Sequence, residues 1–327
     1  MRGDFIMKKF FLVKNEIMGA ALTVSAILVL AIIFPCIITM IWSGQIQMAD
    51  VKMHYSGYII EFPDGKEMDM EEFIPCAIMA QLDYNTHDEA IKAQIVIDRT
   101  KIFRKMGEGN RLPVAEAKLP YVTYEQLQEM YGDDFEKMYN RLIKLQNETN
   151  QNIVTYNGEP VSAFYHSVSA GVTRNGDKEY IKSADSPDDV TADNYLSIMY
   201  YTPDEFEALL KNINADIVIN KENPMEGITV TPEDTTGYVA EVSVGNIKIS
   251  GDNFYKSMDL SSPCFTIEKF NEAIRIVVKG IGHGKGLSIY GAQKMAESGK
   301  LYKEILTHYY SGVQIEKCNN IQTSSNL

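Results

Sequence analysis

The sequence predicts an α+β protein in which one apolar N-terminal segment precedes a mixed helix and strand domain. Three observations predict this. Ile17 to Ala49 carries no ionisable side chain, whereas the rest of the chain is ordinarily polar. Beyond that stretch, segments with apolar residues at three-to-four spacing interleave with alternating segments, without a regular strand–helix–strand rhythm. Pro-Asp-Gly, Asn-Gly and a glycine-rich run punctuate them, and no fixed-period repeat is visible.

Residues 1–16 carry Arg2, Lys8, Lys9 and Lys14 against Asp4 and Glu16. They are expected to stay cytoplasmic. Ile17 to Trp42 is 26 residues of mostly Ile, Leu, Val, Ala, Met and Phe, longer than the roughly 20 that cross a bilayer. A single-pass anchor over 17–42 is therefore expected, with the rest of the chain on the outer side of the cell membrane. The run is longer than a signal-peptide core, and no small-x-small cleavage site follows.

Residues 43–70 read as a stalk and first strands, with "YSGYIIEF" and a turn at Pro63 to Gly65. A main domain over 71–317 and a polar tail over 318–327 complete the division. In the domain, "EEFIPCAIMAQLDYNTHDEAIKAQIVIDRTKIFRKM" predicts two helices around the polar turn "DYNTHD", with Asp88 or Thr86 capping the second. The charged segment 123–147 predicts a solvated amphipathic helix. "QNIVTYNGEPVSAFYHS" predicts a hairpin around Asn157-Gly158, and "SPDDVTADNY" a loop. Thr202 with Glu205 makes a capping box. Residues 225–280 read as strands, ending in the buried strand "EAIRIVVKG".

Without its first 42 residues the chain keeps 27 Lys and Arg against 42 Asp and Glu, a net of −15. Such a surface repels nucleic acid. Of four cysteines, Cys36 lies in the apolar run and Cys76 in a helical stretch, leaving Cys264 and Cys318 as a possible pair. No metal-ligand spacing occurs, and neither metal nor cofactor is expected.

The densest signal is "VVKGIGHGKGLSIYGAQKMAESGKLYKEILTHYYSGVQI", residues 277–315. A strand enters a turn with four glycines around His283 and leaves as a helix near Ser288. Glycine there permits positive φ and close backbone approach. A phosphate-cradling P-loop would need glycine at Lys279 and a hydroxyl residue at Gly286, so it is excluded. What remains is a glycine corner with a satisfied histidine, or a histidine held at a cleft to meet a ligand oxygen.

This stretch resembles the closing motif of the stage II sporulation protein D / LytB amidase-enhancer family, roughly G-x-G-H-G-x-G-M-S-Q-Y-G-A followed by a helix and H-Y-Y-x-G. "TYNGEPVSAFYHSVSAGVT", residues 155–173, and "EAIKAQIVIDRT", residues 89–100, are similar to two further family blocks, with Ala170 in place of a glycine. The resemblance implies a SpoIID-type domain acting on peptidoglycan during forespore engulfment in sporulation. Active members are lytic transglycosylases, in which one carboxylic acid protonates the leaving oxygen and then, as carboxylate, deprotonates the sugar's 6-hydroxyl.

The resemblance places that acid thirteen residues before Gln94, where this chain has Gln81. An amide has no titrating proton. Ile289 likewise replaces the family's glutamine. The expectation is a glycan-binding site formed by Gln81, His166, Ser167, His283, Ser288 and Tyr290, with which the protein binds peptidoglycan and assists a wall hydrolase or amidase partner without cleaving the glycan. Asp83 is the alternative acid if the protein is an active transglycosylase, with Asp88 and Glu89 behind it. A third reading makes the chain a structural member of an engulfment membrane complex, contacting partners through 123–147. His87 is expected on the surface of its turn, His308 at a helix end, and His54 without context.

Overall fold

A computed structural model describes residues 52–318, so the expected anchor at 17–42 and the tail beyond Cys318 lie outside the described residues. Among the described residues no helix is long and apolar enough to cross a membrane. Residues 53–318 form one compact unit.

Ile59–Glu61 (β1) pairs antiparallel with Glu67–Asp69 (β2) across the Pro-Asp-Gly turn, and parallel with Arg111–Pro113 (β3). Asp69 then caps Met70–Met79 (α1), its carboxylate accepting from the Glu71 N–H at 2.8 Å. After the expected polar turn comes Asp88–Met106 (α2). Its cap is His87, neither Asp88 nor Thr86. His87 has extended backbone and its Nδ1 accepts from the Glu89 N–H at 3.3 Å. The Asp88 carboxylate and the Thr86 carbonyl instead hold Arg141, at 2.9 and 2.7 Å.

Helix α2 is the axis of the domain. Ile91, Ile95, Ile102 and Met106 enter one core with α1. Ala90, Ala93, Val96 and Ile97 enter a second, on the other side. A helix apolar on two faces belongs between layers. Two of its buried polar residues tie the layers together: Arg99 grips Glu71 through two 2.7 Å bonds, and Thr100 accepts from the Val154 N–H at 2.9 Å.

Val114–Ala117 (α3) is a single turn. The segment 123–147 is two helices, Tyr124–Tyr131 (α4) and Phe135–Glu148 (α5), broken at Gly132, whose φ is +48°. It is also less solvated than expected, because Leu127, Phe135, Met138, Leu142 and Leu145 are in the first core. Asn152–Tyr156 (β4) and Glu159–Pro160 (β5) make the hairpin, with Asn157 and Gly158 both at positive φ. That is the geometry an Asn-Gly turn of this hand requires.

Tyr165–His166 (β6) follows. The "SPDDVTADNY" stretch is not plain loop: Pro187–Thr191 is a 3-10 turn with Asp189 fully buried. Leu196–Tyr201 (β7) leads through the Thr202–Glu205 capping box into Pro203–Ile213 (α6). The strand-rich region holds Ile228–Pro232 (β8), Val239–Val244 (β9) and Ile247–Ser250 (β10), which form one sheet. A helix, Gly251–Ser257 (α7), interrupts it. Phe265–Phe270 (β11) and Ala273–Lys279 (β12) make a second sheet in the order β11-β12-β7. Strand β12 is central and buries Ile274, Ile276 and Val278 against α6 and α7 in a third core. Leu287–Ser288 (β13), Ile289–Glu297 (α8), Tyr302–Tyr309 (α9) and Gln314–Lys317 (β14) complete the chain. Strand β14 pairs with β4, bringing the C-terminal end against the hairpin.

No disulfide joins Cys264 to Cys318. The Cys264 thiol donates to the Gly237 carbonyl at 3.4 Å, and Cys318 packs on Phe103 and Ile153.

Candidate functional site

The glycine turn between β12 and β13 lies against the segment that leaves the β4–β5 hairpin. Gly280, Gly282, Gly284 and Gly286 all have positive φ, between 71° and 99°. Their missing side chains matter as much as their dihedrals. A Cβ at Gly286 would lie 2.1 Å from the Phe164 carbonyl oxygen, and one at Gly282 would lie 2.8 Å from the His166 Cβ. Backbone bridges join Val168 to Ile281 and Arg174 to Lys285, and β13 runs parallel to β6. Two motifs over a hundred residues apart in sequence thus become one main-chain seam.

The seam fixes two histidines with ring centroids 5.8 Å apart. His166 is buried and its Nδ1 lies 3.2 Å from the Lys285 carbonyl, so Nδ1 carries the proton. Its Nε2, the acceptor, is itself buried and has no hydrogen-bond partner. His283 has the opposite arrangement, since its Nδ1 accepts from the Lys285 N–H at 3.1 Å and the proton is left on Nε2. Burial pushes both rings down, to about 3 for His166 and about 4 for His283, where the Lys285 charge adds to the effect. Two neutral imidazoles therefore stand side by side, one offering a lone pair and the other an N–H. Phe164, partly exposed, meets His283 edge-on at 5.7 Å.

The other predicted residues separate. Ser167 is exposed, and its carbonyl accepts from the Tyr290 N–H at 3.0 Å. The Tyr290 hydroxyl bonds Thr191 at 3.1 Å. Ser288 is fully buried and structural: it donates to Asp189 at 2.7 Å while capping α8 through the Gly291 N–H. Asp189 also accepts from the Ser169 N–H at 2.6 Å. Nothing in the local pattern of "SPDDVT" announced a buried carboxylate; only its contacts across 99 residues reveal it.

Gln81 lies just past the end of α1, half-buried, in a cluster of its own. Its Nε2 donates to the Ala77 carbonyl at 2.9 Å and to Asp98 at 2.8 Å, while its Oε1 accepts from Gln94 at 3.1 Å. Gln94 also donates to Asp98, at 3.0 Å. Asp98 is fully buried, and burial pushes its carboxyl up to about 6 against the opposing effects of Lys101 and the two amides. The sequence reading missed it. Its one signal was an Asp-Arg pair inside an otherwise apolar helix face.

No hydrogen bond joins the Gln81 cluster to the histidines. Lys101 lies between the two groups in its electrostatic effect, raising the charge of Asp98's surroundings and lowering the His283 pKa. Its ammonium sits 4.5 Å over the Tyr165 ring. Asp83 is exposed and outside this network, its carbonyl closing the turn onto the Thr86 N–H. Asp88 holds Arg141. Glu89 accepts from Lys92 and from the Tyr302 N–H, both at 2.7 Å. His308 bonds the Asp185 carbonyl at 2.7 Å at the end of α9. A cavity of about 440 Å³ opens elsewhere, lined by Phe62, Lys66, Phe73, Tyr121 and Tyr124 and by none of the predicted site residues. Among the described residues no three His, Cys, Asp or Glu side chains are placed to hold a metal ion.

Comparison with known proteins bears on the same blocks. Residues 63–156 match the family model described as SpoIID, stage II sporulation protein. The chain is 27% identical to stage II sporulation protein D of Bacillus amyloliquefaciens over 274 residues, covering 77% of this chain and 75% of that one. It is 26% identical to the Bacillus subtilis protein of the same name over 265 residues, 76% of this chain and 75% of the other. A 50-residue stretch, 15% of this chain, is 44% identical to the amidase enhancer of Bacillus subtilis, covering 7% of that protein. With the helix, hairpin and glycine-turn blocks in one folded unit, the chain is similar to the stage II sporulation D proteins along 77% of its length and matches the SpoIID family model over residues 63–156.

Proposed function

We propose that the chain grips peptidoglycan glycan strands at the histidine seam and assists a wall hydrolase or amidase, without cutting the glycan itself. The observation that carries this is the neutral His283 ring, whose Nε2–H is left over once Nδ1 accepts from the Lys285 N–H. His283 Nε2–H can donate to a sugar oxygen, with the Phe164 ring available to an apolar sugar face, while the His166 lone pair is buried behind it. Binding without cleavage is supported by the amide at position 81. The nearest carboxyl, Asp98, is fully buried behind it, and Asp83 is on the surface. General acid–base help is worth about 100- to 10,000-fold per step. A single-acid mechanism without its acid loses at least that.

The partner role rests on the name of the amidase-enhancer relative. The anchor at 17–42 and the outward orientation are part of the same reading, from the uncharged run and the cations before it. The full-length chain, with detergent present, is to be incubated with purified glycan strands and the soluble products analysed by mass spectrometry, alongside a pull-down with insoluble wall. Retention on the wall without 1,6-anhydro products is the expected result. Anhydro products that vanish in Asp83→Asn or Asp98→Asn would replace binding by catalysis. Failure to bind wall at low and moderate salt would favour a structural role in a membrane complex.

A further inference from the structure

The Gln81 cluster constrains more than the loss of a proton. A carboxamide can face a ligand with either end, and which end is free depends on what holds the other. Here both Nε2 hydrogens are used, one on the Ala77 carbonyl and one on Asp98. Both partners are acceptors. The opposite flip would set the Gln81 oxygen against two oxygens, so the orientation is forced while Asp98 is ionised. Gln94 holds the other end, donating to Gln81 Oε1 and to Asp98 together. What Gln81 has left is one lone pair on Oε1.

We propose that Asp98 is a positioning residue that locks the Gln81 carboxamide with its donors turned inward, so that this position meets a glycan only as a hydrogen-bond acceptor. The proposal rests on the glycan-binding reading above. Its consequence is a change of polarity. A protonated acid at position 81 would donate to a glycosidic oxygen, which can only accept. The locked amide presents an oxygen to that atom and disfavours it, and instead selects a hydroxyl or the N–H of an N-acetamido group. The strand then binds displaced from a cleavage register.

The lock depends on the charge of Asp98. Once protonated, Asp98 can donate, and the buried Gln94 Oε1, which has no partner, becomes a natural acceptor after rearrangement of the amides. The groups that feel or oppose the Asp98 charge are Lys101 on α2, Tyr165 on β6 and Tyr310 after α9. Of these only Lys101 is a cation, and it favours the ionised, locked state.

The test uses the full-length chain labelled with 15N, with detergent present. The Gln81 side-chain NH2 resonances should shift with pH around a midpoint near 6, the value to which burial pushes Asp98. In Asp98→Asn the shift should disappear. Gln81 NH2 protons that exchange as fast as those of a solvent-exposed amide in the natural protein overturn the lock, whether or not glycan binds, and this needs no variant. With purified glycan strands as the probe, affinity should change about the same midpoint in the natural protein and stay flat in Asp98→Asn. If no glycan binds while the resonances titrate, the binding reading fails and the lock stands. If glycan binds and Asp98→Asn keeps the natural pH profile, the proposed role in recognition is overturned.

Discussion

Gln146 donates from Nε2 to the Glu71 carbonyl oxygen at 2.6 Å, and that oxygen is the one left without its helical partner by Pro75. Proline has no N–H to return to the residue four positions back. The side chain of α5 replaces it, binding the two helices through a repaired hydrogen bond.

Gln146→Leu should therefore destabilise the protein by about 2 kcal/mol, the cost of a buried carbonyl left bare. In a Pro75→Ala background, where the helix supplies its own N–H, the same substitution should cost less. A double-mutant cycle by chemical denaturation measures the difference.

The Arg99–Glu71 pair beneath it is almost wholly inaccessible, with side-chain exposures of 0% and 2%. Removing either charge alone, as Arg99→Ala or Glu71→Ala, should cost about 3–5 kcal/mol by leaving the other unpaired. Replacing both with methionine should cost much less than the sum. Urea midpoints of the three variants decide it.

Two glycine substitutions separate dihedral strain from collision. Gly299 has a φ of +91° with open space around its missing Cβ, so Gly299→Ala should cost about 1–2 kcal/mol. Gly286→Ala must also push against the Phe164 carbonyl and should cost more than about 4 kcal/mol, or abolish folding. Thermal melts of the two distinguish these effects.

The buried histidines and Asp98 act on stability with opposite sign. His166 and His283 stay neutral in the folded state down to about 3 and 4, while in the unfolded chain they take up protons below about 6.5. Their contribution is present above about 6.5 and is lost as pH falls. Asp98, raised to about 6, holds a proton in the folded state that the unfolded chain has released. Its contribution is present at acid pH and is lost as pH rises through 6. Between about pH 4 and 6 the two histidines outweigh the one carboxyl. Urea midpoints should rise with pH across that window, and Asp98→Asn should steepen the rise.

What was readable from sequence was local. The turn "DYNTHD", the Asn157-Gly158 hairpin, the Thr202 capping box and the strand-to-helix glycine turn each depend on neighbouring residues, and each formed. The misjudged parts depend on distant partners. Asp98 meets Gln81 across 17 residues and Asp189 meets Ser288 across 99, so periodicity could not announce either. Segment 123–147 looked solvated because charged residues recur through its whole length, yet the apolar residues between them fill a core. Gly132 in the middle of that segment was a visible break signal that the charge pattern obscured.

Because the seam around His166 and His283 is made by peptide groups and absent side chains, its shape does not depend on which functional groups decorate it. Such a frame keeps its outline when a side chain on it is exchanged. Substitutions of the side chains along it can then change what it meets while the surrounding architecture persists unchanged.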